Sequence, residues 1–398
     1  MSAMSLSAAR PPEALSGAGP GSHRPRRGRD DKSIRIAVDT TPLLGQPTGV
    51  GVMTRELVNR LADAEDLTVT GYVASWRARD RYRSVLPTGI DPYRLRWPAR
   101  LCHQAWQRVE RPRLPSRFDV VHGTNFVLPP AHGTAGLVTV HDLTAWRFPK
   151  MVDRYSAAYP VLVERALARG ASVHCVSHSV AAEVVDVLGL SGDRVHVIPN
   201  GFARGHTGNS ERTRDMIAGP YLLAIGTVEP RKDYVGLVES MTEVWNHYPE
   251  LRLVIAGADG WGTEELANAA ERVGAGDRLI RLGYVSEQEK ADLLAGAELF
   301  VFPSVYEGFG LPVLEAMDAG LPVVTTSTGA LPEVAGDAAL LVTPRSADEL
   351  SRAILLALAD DDLRRTLVAS GRRRVQDFSW DRMAAEMADL YRQLAANH

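Results

Sequence analysis

Two carboxylates flank a pair of glycines in Pro303-Ser-Val-Tyr-Glu307-Gly308-Phe309-Gly310-Leu311-Pro-Val-Leu-Glu315-Ala316. The apolar run 298–302 before them reads as a buried strand, and a helix is expected over 311–319. Pro312 falls in its first turn, where proline is tolerated. Gly308 and Gly310 leave backbone N–H groups accessible, and the helix start adds positive potential, an arrangement suited to a diphosphate. Glu307 in the loop and Glu315 about one turn into the helix can both aim oxygens into a crevice at the carboxyl ends of strands. Carboxylates accept hydrogen bonds from vicinal hydroxyls, so one can hold a ribose and the other a hexose. An acidic first turn behind a glycine loop is the plain alternative.

A second group is Gly226-Thr-Val-Glu229-Pro230-Arg231-Lys232-Asp233, directly after the apolar run 221–225. A turn at Pro230 would present Arg231 and Lys232 just before a helix from about 234. Cations there can offset phosphate charge, which matters when a diphosphate is the leaving group. The alternative is a solvated basic pair; its place at a strand's carboxyl end favours function. Lysine is scarce, with only Lys32, Lys150, Lys232 and Lys290 among many arginines. A retained lysine suggests a need for a compact point charge.

Val138-Thr-Val-His141-Asp142-Leu143 ends a third strand with two titratable groups, either functional or a hydrogen-bonded strand end. Thr48-Gly49-Val-Gly51 precedes a helix. Its third glycine position is Thr54 and no acidic residue follows at the required place, so a dinucleotide site is disfavoured. Residues 76–117 hold eleven Arg against Asp80, Asp91 and Glu110, interleaved with Trp76, Trp97 and Trp106. Such a surface suits an anionic membrane or a phosphorylated acceptor, and equally suits solvated arginines over core tryptophans. No RNA-binding motif accompanies the charge, so nucleic acid is not expected as a partner. Asp360-Asp-Asp362 opens a surface helix, where acidic residues favour the dipole; no metal site is expected.

These groups require a scaffold of strands alternating with helices. Strands are expected at 34–39, 67–73, 119–122, 136–140, 172–176 and 194–198, with helices at 50–63, 154–169 and 178–188. A second series runs at 221–225, 251–256, 279–282, 298–302, 322–325 and 339–342, with helices at 234–247, 286–295 and 311–319. The pattern predicts two α/β units with parallel sheets and right-handed crossovers. The expected organisation is a disordered tail over 1–33, a first domain over 34–205, a polar linker within 203–219, a second domain over 219–378, and a final helix over 379–398. Met383, Met387, Leu390 and Leu394 give that helix an apolar face able to pack back on the first domain.

With 398 residues, 45% hydrophobic and 23% charged, the chain is long enough for two cores. A net charge of -3 gives no overall pull toward nucleic acid or membrane. Cys102 and Cys175 are too few for a disulfide framework or a zinc site, which points to a reducing, cytoplasmic setting. No apolar run reaches the roughly 18 residues that span a bilayer.

The Glu307-x7-Glu315 pair, supported by Glu-Pro-Arg-Lys at 229–232 and Pro199-Asn-Gly201, resembles the retaining glycosyltransferase family 4, of GT-B architecture. The resemblance covers nearly everything from residue 34 and implies two Rossmann-like domains facing each other across a cleft, the first (34–205) binding the acceptor and the second (219–378) the nucleotide sugar. It implies that Glu307 and His141 meet the donor hexose, Glu315 the ribose, and Lys232 with Arg231 the diphosphate. Gly308, Phe309, Gly310, Leu311, Tyr284 and Val285 would complete the donor site, with Gly49 and Gly51 approaching across the cleft. Many relatives carry Gly-Arg where this chain has Gly226-Thr227, and Arg231 is the substitute at hand. The reaction implied is hexose transfer from a nucleotide diphosphate sugar with retained configuration and neither metal nor cofactor. GDP-mannose is favoured and UDP-glucose is the alternative donor. A glycan or lipid-linked acceptor is expected, in glycan or glycolipid assembly, with peripheral contact on the inner face of the plasma membrane through 76–117. The competing readings are a nucleotide-sugar 2-epimerase on the same architecture and a non-catalytic nucleotide-sugar-binding protein.

Overall fold

The computed structural model describes residues 33–45, 48–75, 81–205, 208–213 and 217–398. Residues 1–32 of the expected tail, Lys32 among them, and Trp76 lie outside the described residues, as does part of the expected linker. The first sheet contains β1 (Ile34–Asp39), β2 (Leu67–Ala74), β3 (Asp91–Leu95), β4 (Val120–Gly123), β5 (Ala135–Val140), β6 (Ser172–Cys175) and β7 (Val195–Val197). Its order is β3-β2-β1-β4-β5-β6-β7, with every pairing parallel. The second contains β8 (Tyr221–Ile225), β9 (Arg252–Ala256), β10 (Leu279–Gly283), β11 (Leu299–Phe302), β12 (Val323–Thr326) and β13 (Leu340–Val342). Its order is β10-β9-β8-β11-β12-β13, also parallel throughout. These are the two Rossmann-like domains expected, each covered by helices on both faces. Strand order reverses between β1 and β4 in one sheet and between β8 and β11 in the other. Loops diverge at such a point and leave a crevice.

β3 carries Pro92 and partly polar residues, so its sequence lacks a strand signature; proline is tolerated because this is an edge. The helix expected from 154 starts as a 3-10 turn at Ser156–Ala158 and becomes α-helical only over Tyr159–Ala168, with Pro160 in its first turn.

The final helix, Trp380–Ala396, crosses back onto the first domain. Trp380, Met383, Met387, Leu390 and Tyr391 are buried in one cluster with Ile36, Met53, Leu57 and Leu137. Burying each such side chain is worth about 1.5–3 kcal/mol, so the helix is held firmly. Gly201 makes the crossing possible: a Cβ there would lie 2.2 Å from the Trp380 backbone nitrogen. A buried polar chain fixes the seam. His174 Nε2 must donate to the Ile198 carbonyl (2.9 Å), so its Nδ1 accepts from Thr139 Oγ1 (2.9 Å). Thr139 then accepts from His122 Nε2 (2.7 Å), and His122 Nδ1 accepts from Tyr391 Oη (2.7 Å). Burial lowers both histidine pKa values and keeps the rings neutral, as this chain of donors requires.

Candidate functional site

The loops after β8 and β11 leave the second sheet on either side of its reversal point and converge. After β8, Pro230–Lys232 forms a single 3-10 turn, and Asp233 caps the helix Tyr234–His247 by accepting from the Gly236 amide (3.3 Å). Gly226 clears a path for Lys232, since a Cβ there would lie 3.1 Å from Lys232 Cε. Lys232 Nζ reaches Glu307 Oε1 at 2.6 Å and lies 4.5 Å from the centroid of Phe302. Arg231 Nη1 meets Glu307 Oε2 at 2.8 Å and donates to the Tyr306 carbonyl at 2.9 Å, while Nη2 meets Glu229 at 2.7 Å. Ser304 Oγ also donates to Glu307 Oε1, at 2.8 Å. Burial by itself would raise the Glu307 carboxyl; the charges and hydrogen bonds of Arg231 and Lys232 outweigh it and hold the group down at about 2. Glu307 is therefore a fully ionised, buried acceptor flanked by two cations.

Four residues after Glu307 build the next helix. Gly310 takes a left-handed conformation (φ 104°) just before Leu311–Asp318. The Phe309 ring turns into the core and meets Phe378 edge-on at 5.6 Å, so this segment presents backbone and not an aromatic face to the crevice. Leu311 is half-buried and touches the cores of both domains. Glu315 accepts from Lys290 Nζ at 2.7 Å, and Lys290 also meets Glu287 at 2.9 Å. Sequence reasoning noted Lys290 for its rarity but gave it no partner. Its scarcity in an arginine-rich chain was the available signal. Beyond β10, Tyr284 is exposed, whereas Val285 is half-buried against the core.

The first domain closes the site from the other side. Gly308 lies so tightly under His141 that a Cβ would fall 1.7 Å from the His141 carbonyl oxygen; only glycine fits. His141 Nε2 donates to the Thr124 carbonyl (2.8 Å), and burial lowers its pKa, so the ring is neutral. Asp142 accepts from the Thr144 amide (2.8 Å), a strand-end turn. Tyr306 Oη accepts from the Leu143 amide (3.0 Å) and donates to Glu183 (3.1 Å), while Ser177 Oγ donates to the Gly308 carbonyl (3.0 Å). Glu333 receives the His178 and Ser179 amides at 2.9 Å each, at the start of helix His178–Leu188.

Gly49 begins the helix Gly49–Leu61, and a Cβ on it would lie 3.6 Å from Leu311 Cδ1, so two helix starts face each other across the cleft. Gly51 has a different position. It is buried, its amide is taken by Thr48 Oγ1 (3.2 Å), and a Cβ would come within 3.1 Å of the Pro42 carbonyl. Phe126, a bulky residue at φ 58°, stands between His141 (5.7 Å) and Tyr159, on which it stacks at 4.5 Å. A non-glycine residue in that region costs about 1–3 kcal/mol, and such strain concentrates at ligand sites.

The basic segment divides. Trp106 is buried in the helix Ala99–Trp106 and donates to the Pro112 carbonyl at 2.8 Å. Trp97, Leu101 and Val109 are about half exposed (51%, 47% and 51%) beside exposed Arg96, Arg100 and Arg108. Asp360 caps the helix Asp361–Arg374 by accepting from the Leu363 amide (2.9 Å). Among the described residues, no helix is long and apolar enough to cross a membrane.

Residues 218–374 match the family model described as "Glycosyl transferases group 1", and residues 47–203 match "Glycosyltransferase Family 4". The chain is 30% identical to the O-antigen chain mannosyltransferase B of Escherichia coli over 394 residues, 91% of this chain and all of that protein. It is 33% identical over 305 residues to the MMP alpha-(1->4)-mannosyltransferase of Mycolicibacterium hassiacum, 70% of this chain and 71% of that one. The fold is shared with sucrose-phosphate synthase from Thermosynechococcus elongatus, at a TM-score of 0.72 and 22% identity over 92% of this chain and all of that one. It is shared also with Anabaena HepE in complex with UDP and glucose, at 0.69 and 17% over 90% and 99%.

Proposed function

Because the chain belongs to the GT-B glycosyltransferases of family 4, with a group 1 second domain, we propose that it transfers mannose from GDP-mannose to a glycan or lipid-linked acceptor, retaining configuration and using no metal. The observation that carries this reading is the Glu307–Lys232–Arg231 cluster at the second sheet's reversal point, next in sequence to Gly308, which packs under His141. Glu307 would accept hydrogen bonds from hexose hydroxyls. Against the cost of burial, Glu307 and Glu229 raise the pKa of Arg231, whereas burial lowers that of Lys232 against the pull of Glu307; together the two residues would offset negative charge growing on the diphosphate, taking the place a metal has in other transferases. Glu315, oriented by Lys290, would hold the ribose, with Tyr284 and Val285 beside the base. In the step itself the bond from the anomeric carbon to the diphosphate oxygen breaks and a bond to the acceptor oxygen forms on the same face. The acceptor's proton leaves with the departing phosphate. No side-chain nucleophile is required.

Mannosyl transfer is favoured by the Escherichia coli and Mycolicibacterium relatives, both mannosyltransferases by name. UDP-glucose remains the competing donor, since the HepE neighbour was solved with UDP and glucose. Work at the inner face of a cytoplasmic membrane is supported by half-exposed Trp97, Leu101 and Val109 set among arginines, the composition of an interfacial surface.

The test is donor consumption. Purified protein is given GDP-mannose or UDP-glucose with glycan and lipid extracts, with and without EDTA, and products are read by mass spectrometry and by the one-bond carbon–proton coupling at the anomeric carbon. Release of GDP together with formation of an α-mannoside, unchanged by EDTA, is expected. Consumption of neither donor, or an inverted product, removes the proposal.

A further inference from the structure

The carboxylate of Glu307 is held by its own domain, but the residues on either side of it are held by the first domain. Tyr306 Oη accepts from the amide of Leu143, two residues beyond His141, and donates to Glu183, which Arg147 also grips at 2.6 Å. Gly308 gives its carbonyl to the hydroxyl of Ser177, the residue that caps the helix His178–Leu188. The first two amides of that helix go to Glu333. Glu333 belongs in turn to the short helix Leu331–Ala335, and Ala330, just before it, donates its amide to the Glu307 carbonyl (2.9 Å).

We propose that Tyr306 and Glu333 are positioning residues, which make the geometry of the Glu307 carboxylate depend on how the first domain is seated. The proposal rests on the transferase reading above. It gives a role in turnover to two side chains outside the cluster of Glu307 with Lys232 and Arg231.

Both contacts exist only while the domains are seated. A helix start leaves its first amides without partners inside the helix and carries partial positive charge. Here the partner is a carboxylate from the opposite domain, so moving the domains apart leaves the His178 and Ser179 amides to water and Glu333 without its donors. Tyr306 behaves likewise. Burial raises its pKa and keeps the hydroxyl protonated, and that one hydroxyl both accepts from and donates to the first domain. The Tyr306 carbonyl accepts from Arg231 (2.9 Å), so movement of Tyr306 is passed to the cation that grips Glu307.

The path from Glu333 to Glu307 is stiff. A Cβ on Gly329 would lie 2.3 Å from the Glu307 carbonyl oxygen, so backbone packs on backbone there. Arg374 fixes the helix Leu331–Ala335 from its other side by donating to the Glu333 and Val334 carbonyls (2.5 Å and 3.0 Å). A displacement at Glu333 therefore has no soft loop in which to dissipate before it reaches Glu307. Misplacing a reacting group's support by about 1 Å can cost about 10²-fold in rate. The bond between Tyr391 and His122 supplies the contrast. It also joins distant parts of the chain, but it continues into Thr139 and His174 and not into the loop at Glu307.

Tyr306→Phe, Glu333→Ala and Glu333→Gln in the full chain are compared with wild type and with Tyr391→Phe, which removes a hydrogen bond away from the site. Thermal melts establish that each is folded. GDP affinity is read by calorimetry, kcat by release of nucleotide from whichever of GDP-mannose and UDP-glucose wild type consumes, and order of the loop by hydrogen exchange over 304–310 in the free protein. The expected result is a kcat at least tenfold lower in Tyr306→Phe and Glu333→Ala, with exchange over 304–310 at least threefold faster and GDP affinity within twofold of wild type. Glu333→Gln, which keeps one acceptor oxygen, recovers part of the loss, and Tyr391→Phe matches wild type in kcat and exchange. A loss in Tyr306→Phe and Glu333→Ala no larger than in Tyr391→Phe, or exchange over 304–310 that does not change, overturns the proposal. Consumption of neither donor by wild type counts against the transferase reading alone; exchange is scored without turnover and decides by itself whether the first domain's seating sets the loop.

Discussion

Glu307 and Asp39 are both buried carboxylates at a sheet's reversal point, one in each domain, and their protonation behaviour is opposite. Glu307 is held down at about 2 because Arg231 and Lys232 outweigh the cost of burial. Asp39 is pushed up to about 6 because burial dominates, and hydrogen bonds from Thr41 only partly offset it. The same side-chain chemistry is thus set by whether a cation shares the pocket. The second domain sets two cations around its acid, and in the first Asp39 is buried with hydrogen bonds from Thr41 instead.

The contrast is broken most sharply at Lys232. Lys232→Ala should lower turnover by about 10²–10³-fold, the effect of removing one preorganised charge from a leaving-group site. Steady-state release of nucleotide reads it, and a loss under threefold contradicts the leaving-group role. Next, Glu307→Ala should mainly lower kcat, whereas Glu315→Ala should mainly weaken nucleotide binding, by about 1–3 kcal/mol for a lost charged partner. Equal small effects in both would erase the division between hexose and ribose.

Stability against pH sharpens the comparison further. The Asp39 pKa is raised from 3.8 to about 6, so the folded state binds the proton more tightly and stability falls as pH rises through that window. Asp39→Asn should therefore melt close to wild type near pH 4 and be more stable at pH 7.5, by about 1–3 kcal/mol. Glu307 carries the other sign: its contribution is present above its ordinary value of 4.5 and is lost as pH falls toward 2. Urea titrations at several pH values distinguish the two, and parallel profiles for Asp39→Asn and Glu307→Gln contradict the reading. The smallest expected effect is at the crossing helix. Tyr391→Phe leaves His122 Nδ1 without its donor and should cost about 1–2 kcal/mol in chemical denaturation, with activity retained.

The grouping around Glu307 was legible because its parts are contiguous. Glu307 through Glu315 is one loop and helix start, Glu229 through Lys232 one turn, and each follows a strand whose apolar run is plain. β3 was missed because an edge strand with Pro92 lacks the pattern of a buried one. Lys290 was seen only as a rare residue, since its partner Glu315 is 25 positions away. The first domain's hold on the loop at Glu307 left no trace at all: Tyr306 meets Leu143 across 163 positions, and Glu333 meets Ser179 across 154.

Local composition was enough to write the strand–loop–helix units, the glycine loop before helix 311–318 and the paired cations, because those depend on backbone geometry and charge within a few residues; the packing of Gly308 under His141 was not among them. Packing alone decided the rest. Helix 380–396 returns to the first domain and sets Tyr391 against His122 across 269 positions, and only the meeting of the two domains brings Glu333 to the start of helix 178–188. Such neighbours are selected by burial of apolar surface over the whole chain, a quantity no short stretch of residues contains.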